Sequence, residues 1–521
     1  MNRTDEHVDP DARCQAATLE FLTRPDVHGV PAGDIVTIRT HISVIVLAGI
    51  RAFKLKKAVR FPYADFSTAV LRLAACLREL ELNRRTAPDL YVAVREIRRD
   101  DKGNLNFDGP GELIDAVVEM RRFPDDALLE AVAQREGLTD ALAERIAGEI
   151  AKSHDNAPIV GGVDVPSRLA HVLAAAEKLL AAAGVLPGPK IEVLCAAIRD
   201  ELDKQAPLLA ARAAAGLVRH CHGDLHLRNI CVIDGAPMLF DCLEFDDALA
   251  TIDVLYDLAF LIMDLCSQGF SRQANVVLNR YLDLRHDDAG MALMPLFLAI
   301  RAVIRAHVLV AQAEEAIDTT RTTPLGKAQR YIDTALACLS PRVGRLVAIG
   351  GLSGSGKSSL AVAIAHALGP MPGARILSSD RIRKQMWGVP ASSKLPETAY
   401  QTDFSENVYA AQADCAQKLV QAGCAVIADA VFEREACRQR IEQCAARAGV
   451  PFSGFWLDAS PAALSARVNQ RTNDPSDATE NVVRAQLARQ RDVKGWTHVD
   501  AQRPLECVAA SVLAHLDGHR A

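Results

Sequence analysis

The chain has 521 residues, of which 50% are hydrophobic and 24% are charged, and its formal net charge is −6. This length is too great for one ordinary hydrophobic core and predicts roughly two to four folding units. The composition is typical of a soluble globular protein, and the acidic balance argues against a nucleic-acid or membrane-surface binder.

Local features of the sequence favour a cytoplasmic protein. The opening residues, MNRTDEHVDPDAR, are too polar for a signal peptide. The longest apolar stretch, 293–311, is interrupted by Pro295, Arg301, Arg305 and His307, so we expect a core helix there and no membrane span. The 13 cysteines form no C-x-x-C pair and match no zinc spacing, which predicts reduced and mostly buried thiols.

The first 122 residues predict a small antiparallel sheet with one long helix. Strand-like apolar stretches occur at 35–38, 42–47, 52–56, 90–97 and 116–120, with a Gly/Asn/Asp-rich hairpin at 100–111. Helices are expected at 14–22 and at 65–84. The longer helix has apolar residues at helical spacing and carries two acidic residues, Glu79 and Glu81.

From residue 125 onward the pattern is almost entirely helical as far as 339, apart from two short strands around a polar motif at 218–243. The turn-rich segment Ser340–Gly344 predicts a domain boundary. The remaining residues alternate strands with helices, which is typical of a parallel sheet covered on both faces. The strand candidates there are 346–350, 374–377, 425–428 and 452–457.

The most specific motif lies at the start of this last part. Residues 351–360 read GLSGSGKSSL and contain G-x-x-x-x-G-K-S between an apolar strand candidate and a helical pattern. A phosphate-binding loop has this context, because its backbone N–H groups surround the phosphates of a nucleoside triphosphate. Lys357 would reach the β- and γ-phosphates, and the Ser358 hydroxyl would bind Mg²⁺. The expected nucleotide-binding residues are Gly351, Ser353, Gly354, Ser355, Gly356, Lys357, Ser358 and Ser359.

A second set of polar residues flanks the apolar hairpin 230–240. The motif HGDLHLRN contains Asp224 and ends at Asn229, and Asp241 follows the hairpin. Phosphoryl transfer from Mg-ATP to a hydroxyl needs a proton acceptor and oxygen ligands for Mg²⁺. These three residues have the intervals of a kinase catalytic loop and its later metal-binding aspartate. The alternative is that they merely cap turns in a helical domain.

Residues 35–320 resemble the aminoglycoside phosphotransferase and choline kinase branch of the protein-kinase-like fold. The resemblance is carried by HGDLHLRN, by the later FDCLEF, and by Asp253 and Asp257 in the helix that follows. It implies that Asp224 is the catalytic base and that Asn229 and Asp241 hold Mg²⁺.

The same resemblance implies a lysine that contacts the ATP phosphates. Lys54 is the first candidate and Lys56 the alternate, and the acidic partner would be Glu79 or else Glu81. The strand 117–120 would lead into the segment that contacts adenine. The sequence departs from the kinase pattern at the hairpin 40–43, which is not rich in glycine.

A third set of candidates lies in the C-terminal part. Asp380 and Arg383 are three residues apart at the start of a predicted helix, so they lie on one face. The carboxylate could accept a proton from a substrate hydroxyl while the arginine binds an anionic group of the substrate. The alternative is an N-cap aspartate with a local ion pair. Asp429 ends a strand, where parallel-sheet proteins often contact Mg²⁺ or substrate.

Two arginines predict a lid over this site. Arg467 and Arg471 are four residues apart and precede the polar segment 473–477. A mobile lid could bring them to the γ-phosphate in the transition state, and the alternative is a solvated basic face.

The C-terminal part is similar to small P-loop kinases of the gluconate kinase, chloramphenicol phosphotransferase and polynucleotide 5′-kinase kind, and more distantly to zeta toxins. The resemblance implies Asp380 as general base, Arg383 as a substrate clamp, and Arg467 and Arg471 as lid residues. The whole chain resembles a bacterial fusion family described as a bifunctional aminoglycoside phosphotransferase and ATP-binding protein.

We therefore expect an α+β kinase-like domain at 1–340, with a small lobe at about 30–122 and a helical lobe at about 123–340, and an α/β P-loop kinase domain at 341–521. The expected function is phosphoryl transfer from Mg-ATP to hydroxyl groups of small molecules. One alternative is an ATP-binding switch in which one or both modules are catalytically silent. Another is a polynucleotide 5′-hydroxyl kinase, which the acidic net charge disfavours.

Overall fold

The computed structural model describes residues 10–40, 42–61, 64–184, 187–315, 322–470, 475–489 and 493–518. These residues form two compact units. The first comprises the described residues up to Leu138 together with Gly148–Val165 and Leu208–Leu261. The second comprises Thr139–Ala147, Pro166–Pro207 and the described residues from Ile262 onward. The second unit therefore includes helices that precede residue 340.

The N-terminal part contains the predicted antiparallel sheet. Its strands are β1 (Ile35–Arg39), β2 (Ser43–Ala48), β3 (Arg51–Lys56), β4 (Arg60–Phe61), β5 (Ala64–Asp65), β6 (Tyr91–Arg99), β7 (Leu105–Phe107) and β8 (Glu112–Arg121). Its helices are α1 (Pro10–Thr23), α2 (Pro25–His28) and α3 (Ala69–Asn83). The main sheet has the order β1-β2-β3-β8-β6-β7, and β4 pairs with β5 separately.

Three charged side chains of this part are buried, and the periodicity of strand β3 and helix α3 explains why. Lys54 and Lys56 are two residues apart on β3 and therefore lie on one face of the sheet. Helix α3 begins after Thr68, whose hydroxyl accepts a hydrogen bond from the backbone N–H of Leu71 at 3.3 Å. Its buried side includes Glu79, so an acidic group and two lysines are buried in this lobe.

The middle of the chain is mainly helical, as the sequence predicted. Its helices are α4 (Leu129–Glu136), α5 (Asp140–Asn156), α6 (Val165–Ala183), α7 (Gly188–Ala214), α8 (Asp247–Ala250), α9 (Val254–Ser267), α10 (Ser271–Arg285), α11 (Met294–Glu315) and α12 (Thr322–Leu339). Its strands are β9 (Val218–His220), β10 (Ile230–Ile233), β11 (Ala236–Leu239) and β12 (Thr251–Asp253). Among the described helices, the stretch 288–311 has the length and mean hydropathy (1.8) of a membrane span, but 72% of it is buried inside the protein.

The C-terminal part is a parallel sheet with helices between its strands. The strands are β13 (Arg345–Gly351), β14 (Arg375–Ser378), β15 (Ala425–Asp429), β16 (Phe452–Asp458) and β17 (Thr497–Asp500). The helices are α13 (Lys357–Ala365), α14 (Ser379–Trp387), α15 (Thr402–Gln421), α16 (Glu435–Ala448), α17 (Pro461–Asn469), α18 (Glu480–Arg489) and α19 (Leu505–Gly518). The order is β14-β15-β13-β16-β17, and strand β17 was not predicted because only one of its four residues is apolar.

Side chains from helix α10 cover the free edge of β14. The Asn275 amide donates to the carbonyl of Ala374 at 3.0 Å, and the Asn279 amide donates to the same carbonyl at 3.1 Å. The backbone N–H of Ile376 donates to Asn279 Oδ1 at 2.7 Å. An exposed strand edge has unpaired backbone groups, and these two amides satisfy them as a neighbouring strand would. Helix α10 is therefore part of the support of the parallel sheet.

Candidate active sites

The first unit contains a network of ion pairs around Lys54, the lysine predicted to contact the ATP phosphates. Lys54 Nζ lies 2.8 Å from Glu79 Oε1 and also contacts the carboxylate of Asp241. Lys56 Nζ lies 2.5 Å from the other oxygen of Glu79 and also contacts Glu244. The two lysines and three carboxylates thus form one continuous network, in which Glu79 is shared by both lysines.

The network distinguishes the two candidate lysines. Lys56 is fully buried, whereas the Asp241 carboxylate that Lys54 contacts is 38% exposed. Lys54 therefore lies at the side of the network that a ligand can reach, and Lys56 lies behind it. Glu81, the alternative acidic partner, pairs with Arg78 at the surface.

The charges in this network shift the pKa values of its members. Burial alone would raise the pKa of Glu79, but Lys54 and Lys56 outweigh burial and lower that pKa to about 2. Burial raises the pKa of Glu244 from its ordinary value of 4.5, and the opposing effect of Lys56 is smaller. The Glu244 carboxylate is thus buried at a cost that Lys56 only partly offsets.

We expect Lys56→Met to destabilise the first unit by roughly 3 kcal/mol, because it leaves Glu244 buried without its cation. Glu244 binds its proton more tightly in the folded state, so the folded variant becomes less stable as the pH rises above 4.5, the ordinary carboxyl pKa. Hydrogen exchange of peptides from β3 and α3, followed from pH 5 to pH 8, measures the change.

Arg24→Ala is the control for this prediction, because it removes an exposed ion pair between Arg24 and Asp26 in the same unit. An exposed pair contributes little, so exchange in β3 and α3 should remain as in the unmodified chain. If Lys56→Met also leaves exchange unchanged, the buried network does not stabilise this unit.

The loop that carries Asp241 is held in an unusual backbone conformation. Asp241 has a φ of 62°, in the left-handed region that few residues other than glycine adopt. Its backbone N–H donates to the Tyr91 hydroxyl at 3.1 Å, and the N–H of Cys242 donates to Asn83 Oδ1 at 2.9 Å. These contacts fix the direction of the Asp241 carboxylate.

Asp224 and Asn229 lie side by side, as their predicted roles require. The Asn229 amide donates to the Asp224 backbone carbonyl at 2.9 Å and to Asp224 Oδ2 at 3.1 Å. His226 Nε2 lies 3.4 Å from the same carboxylate oxygen. The Asp224 side chain is 42% exposed, so its carboxylate can accept a proton from a bound molecule.

Asp257 supports the loop that carries Asp224, a role that sequence reasoning did not assign. Its carboxylate accepts hydrogen bonds from the backbone N–H groups of His222 at 3.1 Å and Gly223 at 2.9 Å, and it lies 3.1 Å from His154 Nε2. His154, Cys221 and Asp257 offer ligand atoms within 4.8 Å of one another. Both Asp257 oxygens already accept hydrogen bonds, so this cluster is better explained as a support of the loop.

The phosphate-binding loop has the geometry that its glycines predict. Gly351, Gly354 and Gly356 have φ values of 142°, 88° and 93°. A Cβ atom at Gly354 would lie 2.6 Å from the Leu464 carbonyl, so a larger residue does not fit there. The Ser355 hydroxyl is buried without a hydrogen-bond partner in the described part of the chain. The Ser355 hydroxyl of this loop can therefore still form a hydrogen bond with a phosphate group.

The start of helix α13 and the end of strand β15 meet beside this loop. The Ser358 hydroxyl donates to Asp429 Oδ2 at 2.6 Å, which joins the start of α13 to the end of β15. Lys357 Nζ donates to the Leu352 carbonyl at 3.1 Å. Hydroxyl and carboxylate oxygens are the ligands that Mg²⁺ prefers, so Ser358 and Asp429 together could hold that ion beside the phosphates.

A cleft of about 530 Å³ lies next to the loop and brings most of the C-terminal candidates together. Its walls include Lys357, Ser358, Asp380, Arg383 and Asp429. Its volume is in the range of pockets that hold small ligands. The walls also include Arg434, Gln486 and Arg489, which the sequence pattern did not indicate because they are far from the loop in sequence.

Arg383 forms part of the wall of this cleft. Its guanidinium donates to the Ala399 carbonyl at 2.6 Å and to the Ser405 hydroxyl at 3.2 Å, and it lies 4.8 Å from the centre of the Tyr400 ring. Its Nε is buried and makes no hydrogen bond to any described residue. One donor of Arg383 is therefore left for a bound molecule.

Asp477, a residue between α17 and α18, is attached to α14. Asp477 Oδ2 accepts hydrogen bonds from Lys384 Nζ at 2.7 Å and from the Tyr400 hydroxyl at 2.6 Å. Burial opposes ionisation of Asp477, but these hydrogen bonds prevail and lower its pKa. Residues 476–479 therefore form part of one wall of the cleft.

Of the two predicted lid arginines, the structure describes only Arg467. Arg467 donates to the Ala501 carbonyl at 2.8 Å and does not line the cleft. Arg471 lies outside the described residues. Arg434 and Arg489 do line the cleft, where they pair with Glu406 at 2.6 Å and Glu433 at 3.3 Å.

The fold and the two sites define a class of protein, in which a protein-kinase-like phosphotransferase domain precedes a P-loop kinase domain. Residues 65–294 match the model of the phosphotransferase enzyme family. Residues 346–493 match the model of an AAA domain, a nucleotide-binding P-loop domain. Lys54 precedes the first matched region.

Similar proteins span both domains. The chain is 30% identical over 498 residues to the "Uncharacterized protein Rv2004c" of Mycobacterium tuberculosis, a match that covers 92% of this chain and 95% of that one. The "Uncharacterized protein Mb2027c" of Mycobacterium bovis matches to the same extent. The chain belongs to the same family as these proteins, and its phosphotransferase and P-loop kinase domains support ATP-dependent phosphoryl transfer in general.

Solved structures resemble each part separately. An ethanolamine kinase of Plasmodium vivax is 11% identical with a TM-score of 0.38, covering 64% of this chain and 95% of that chain. A gluconokinase of Sinorhizobium meliloti is 24% identical with a TM-score of 0.26, covering 34% of this chain and 94% of that chain. At these TM-scores neither likeness bears on the function of this chain.

Proposed function

We propose that the C-terminal module transfers the γ-phosphate of Mg-ATP to a hydroxyl group of a small molecule. The observation that carries this proposal is that the Ser358 hydroxyl contacts Asp429 beside the phosphate-binding loop, while Asp380 lines the same cleft. A candidate metal-binding pair and a candidate base in one cleft suit transfer between a nucleotide and a second molecule.

The charged and polar residues of this cleft that are described above then each contribute to the reaction. Lys357 and the loop N–H groups hold the phosphates, and Ser358 and Asp429 hold Mg²⁺, which neutralises charge on the transferring group. Asp380 accepts the proton of the substrate hydroxyl, and the free Nε of Arg383 orients that substrate. Arg434 and Arg489, which line the cleft where Arg467 does not, stabilise the negative charge of the phosphoryl group.

The N-terminal module performs the same type of reaction on a second small molecule, which makes the chain bifunctional. Lys54, fixed by Glu79, contacts the ATP phosphates. Asn229 and Asp241 hold Mg²⁺, and their oxygen atoms suit that ion. Asp224, which is half-exposed, accepts the hydroxyl proton of the substrate. In this assignment Lys54 exchanges its contact with Asp241 for the phosphates when Mg-ATP binds.

Asp380→Asn tests the proposed base of the C-terminal module. We expect about 100-fold slower ATP turnover in the presence of a hydroxyl-bearing substrate, with ATP affinity unchanged, because the amide cannot accept the proton. The measurement uses a chain that also carries Asp224→Asn, so that only the C-terminal module turns over.

Asp414→Asn, on the exposed side of α15, is the control and should leave turnover as before. Full turnover by Asp380→Asn would refute the role of Asp380 as base. Loss of ATP binding would instead assign Asp380 a structural role.

A further inference from the structure

A second cavity lies beside α14, outside the cleft that contains the phosphate-binding loop. Its volume is about 320 Å³, and residues of α10 and α14 line it. The charged residues in its walls are Arg280, Asp283, Arg381 and Lys384, and His286 also lines it. All of these residues belong to the second compact unit. The volume suits a small ligand, and the walls contain more cationic than anionic groups.

Arg280 makes no hydrogen bond and no ion pair within 4.0 Å to any residue that the structure describes, although it is half-buried. Burial lowers the pKa of Arg280, and the neighbouring Arg381 lowers it further. None of its guanidinium nitrogens is among the buried atoms that lack a partner, so these donors remain accessible to a ligand.

Arg381 also has a hydrogen-bond donor without a partner among the described residues. Its Nε lies 3.3 Å from Asp283 Oδ2, but its Nη1 is buried and makes no hydrogen bond to a described residue. Two adjacent arginines thus have unused N–H donors at one cavity. A phosphate group accepts several such donors at once, and arginine is well suited to that geometry.

The single carboxylate in the cavity wall, Asp283, does not balance the positive charges around it. Its other oxygen lies 2.7 Å from Arg375 Nη1, so one carboxylate is shared between Arg375 and Arg381. The Lys384 ammonium already has a carboxylate partner, because it donates to Asp477 at 2.7 Å. After these pairings, Asp283 and Glu144 attract Arg280 from beyond ion-pair distance, and burial and Arg381 outweigh their effect on its pKa.

We propose that this cavity is a second anion-binding site, which takes a small phosphate-bearing molecule between Arg280 and Arg381. The site is separate from the phosphate-binding loop and from the cleft beside it. Arg381 directly follows Asp380 and shares Asp283 with Arg375 of strand β14. A ligand in the cavity therefore contacts the same helical turn as Asp380, and it can act as an effector of the C-terminal module.

Inorganic phosphate is the probe for this site, in a full-length chain that carries Lys357→Ala to weaken binding at the phosphate-binding loop. Isothermal titration should show phosphate binding that Arg280→Ala weakens at least 10-fold, because the variant removes one of two cationic partners. Arg280→Ala breaks no described ion pair, so the chain should fold normally. Arg272→Ala is the control, since it removes the same charge from α10 at a residue that pairs with Asp140 and does not line the cavity.

Tungstate, an analogue of phosphate, locates the site directly by anomalous diffraction from soaked crystals of the same Lys357→Ala chain. We expect a tungstate peak between Arg280 and Arg381. Absence of tungstate from this cavity, or phosphate affinity that Arg280→Ala leaves unchanged, would overturn the proposal. Neither result depends on turnover by either module.

Discussion

Lys357→Ala should reduce ATP turnover by the C-terminal module about 1000-fold. The side chain lines the cleft beside Ser358, and its ammonium is the charge expected to contact the β- and γ-phosphates. Removing it leaves the negative charge of the transferring group without its main side-chain counter-charge. Turnover of a chain that also carries Asp224→Asn measures the effect on this module alone.

Lys418→Ala is the matched control for this variant, because Lys418 is an exposed lysine on α15 that does not line the cleft. Its removal changes the net charge equally and should leave turnover intact. Equal turnover by the Lys357→Ala and Lys418→Ala chains would show that the loop does not hold a reacting nucleotide.

Asp224→Asn should abolish transfer by the N-terminal module, with a loss of about 1000-fold in turnover and little change in ATP affinity. The amide has almost the shape of the carboxylate and can still bond to Asn229, but it cannot accept a proton. Turnover is measured in a chain that also carries Lys357→Ala, so that only the N-terminal module is active. Nucleotide affinity is measured on the same protein.

Asp234→Asn provides the control for this substitution. Asp234 lies in the turn between β10 and β11 with a φ of 51°, and asparagine tolerates that conformation well. This variant should keep full turnover. If Asp224→Asn instead abolishes ATP binding or unfolds the first unit, Asp224 has a structural role and another residue takes the proton.

The sequence predicted the parts of each site that depend on local spacing. The phosphate-binding loop follows a strand and opens a helix, so its glycines, Lys357 and Ser358 are defined within ten residues of one another. The interval from Asp224 to Asn229 is equally local, and their side chains do hydrogen bond. The antiparallel and parallel sheets were also predicted, because their strands have clear apolar patterns.

Features that depend on distant contacts were not predictable from these patterns. Residues two apart on a strand share a face, so the sequence left Lys54 and Lys56 as alternatives, and only their depth in the network distinguishes them. Arg467 has the spacing of a lid residue, yet its guanidinium bonds to the Ala501 carbonyl, 34 residues away in sequence. Asn279 covers the edge of strand β14 through a hydrogen bond to a residue about 100 positions away in sequence, so no local pattern predicts it.

The two proposed phosphoryl-transfer modules are tested most directly by ATP consumption. We would compare the unmodified chain, Lys357→Ala and Asp224→Asn, with and without a panel of hydroxyl-bearing metabolites and aminoglycosides. We expect some compounds to stimulate turnover that only Lys357→Ala abolishes, and others to stimulate turnover that only Asp224→Asn abolishes. ATP binding without stimulation by any compound, in all three proteins, would contradict the claim and favour a nucleotide-dependent switch.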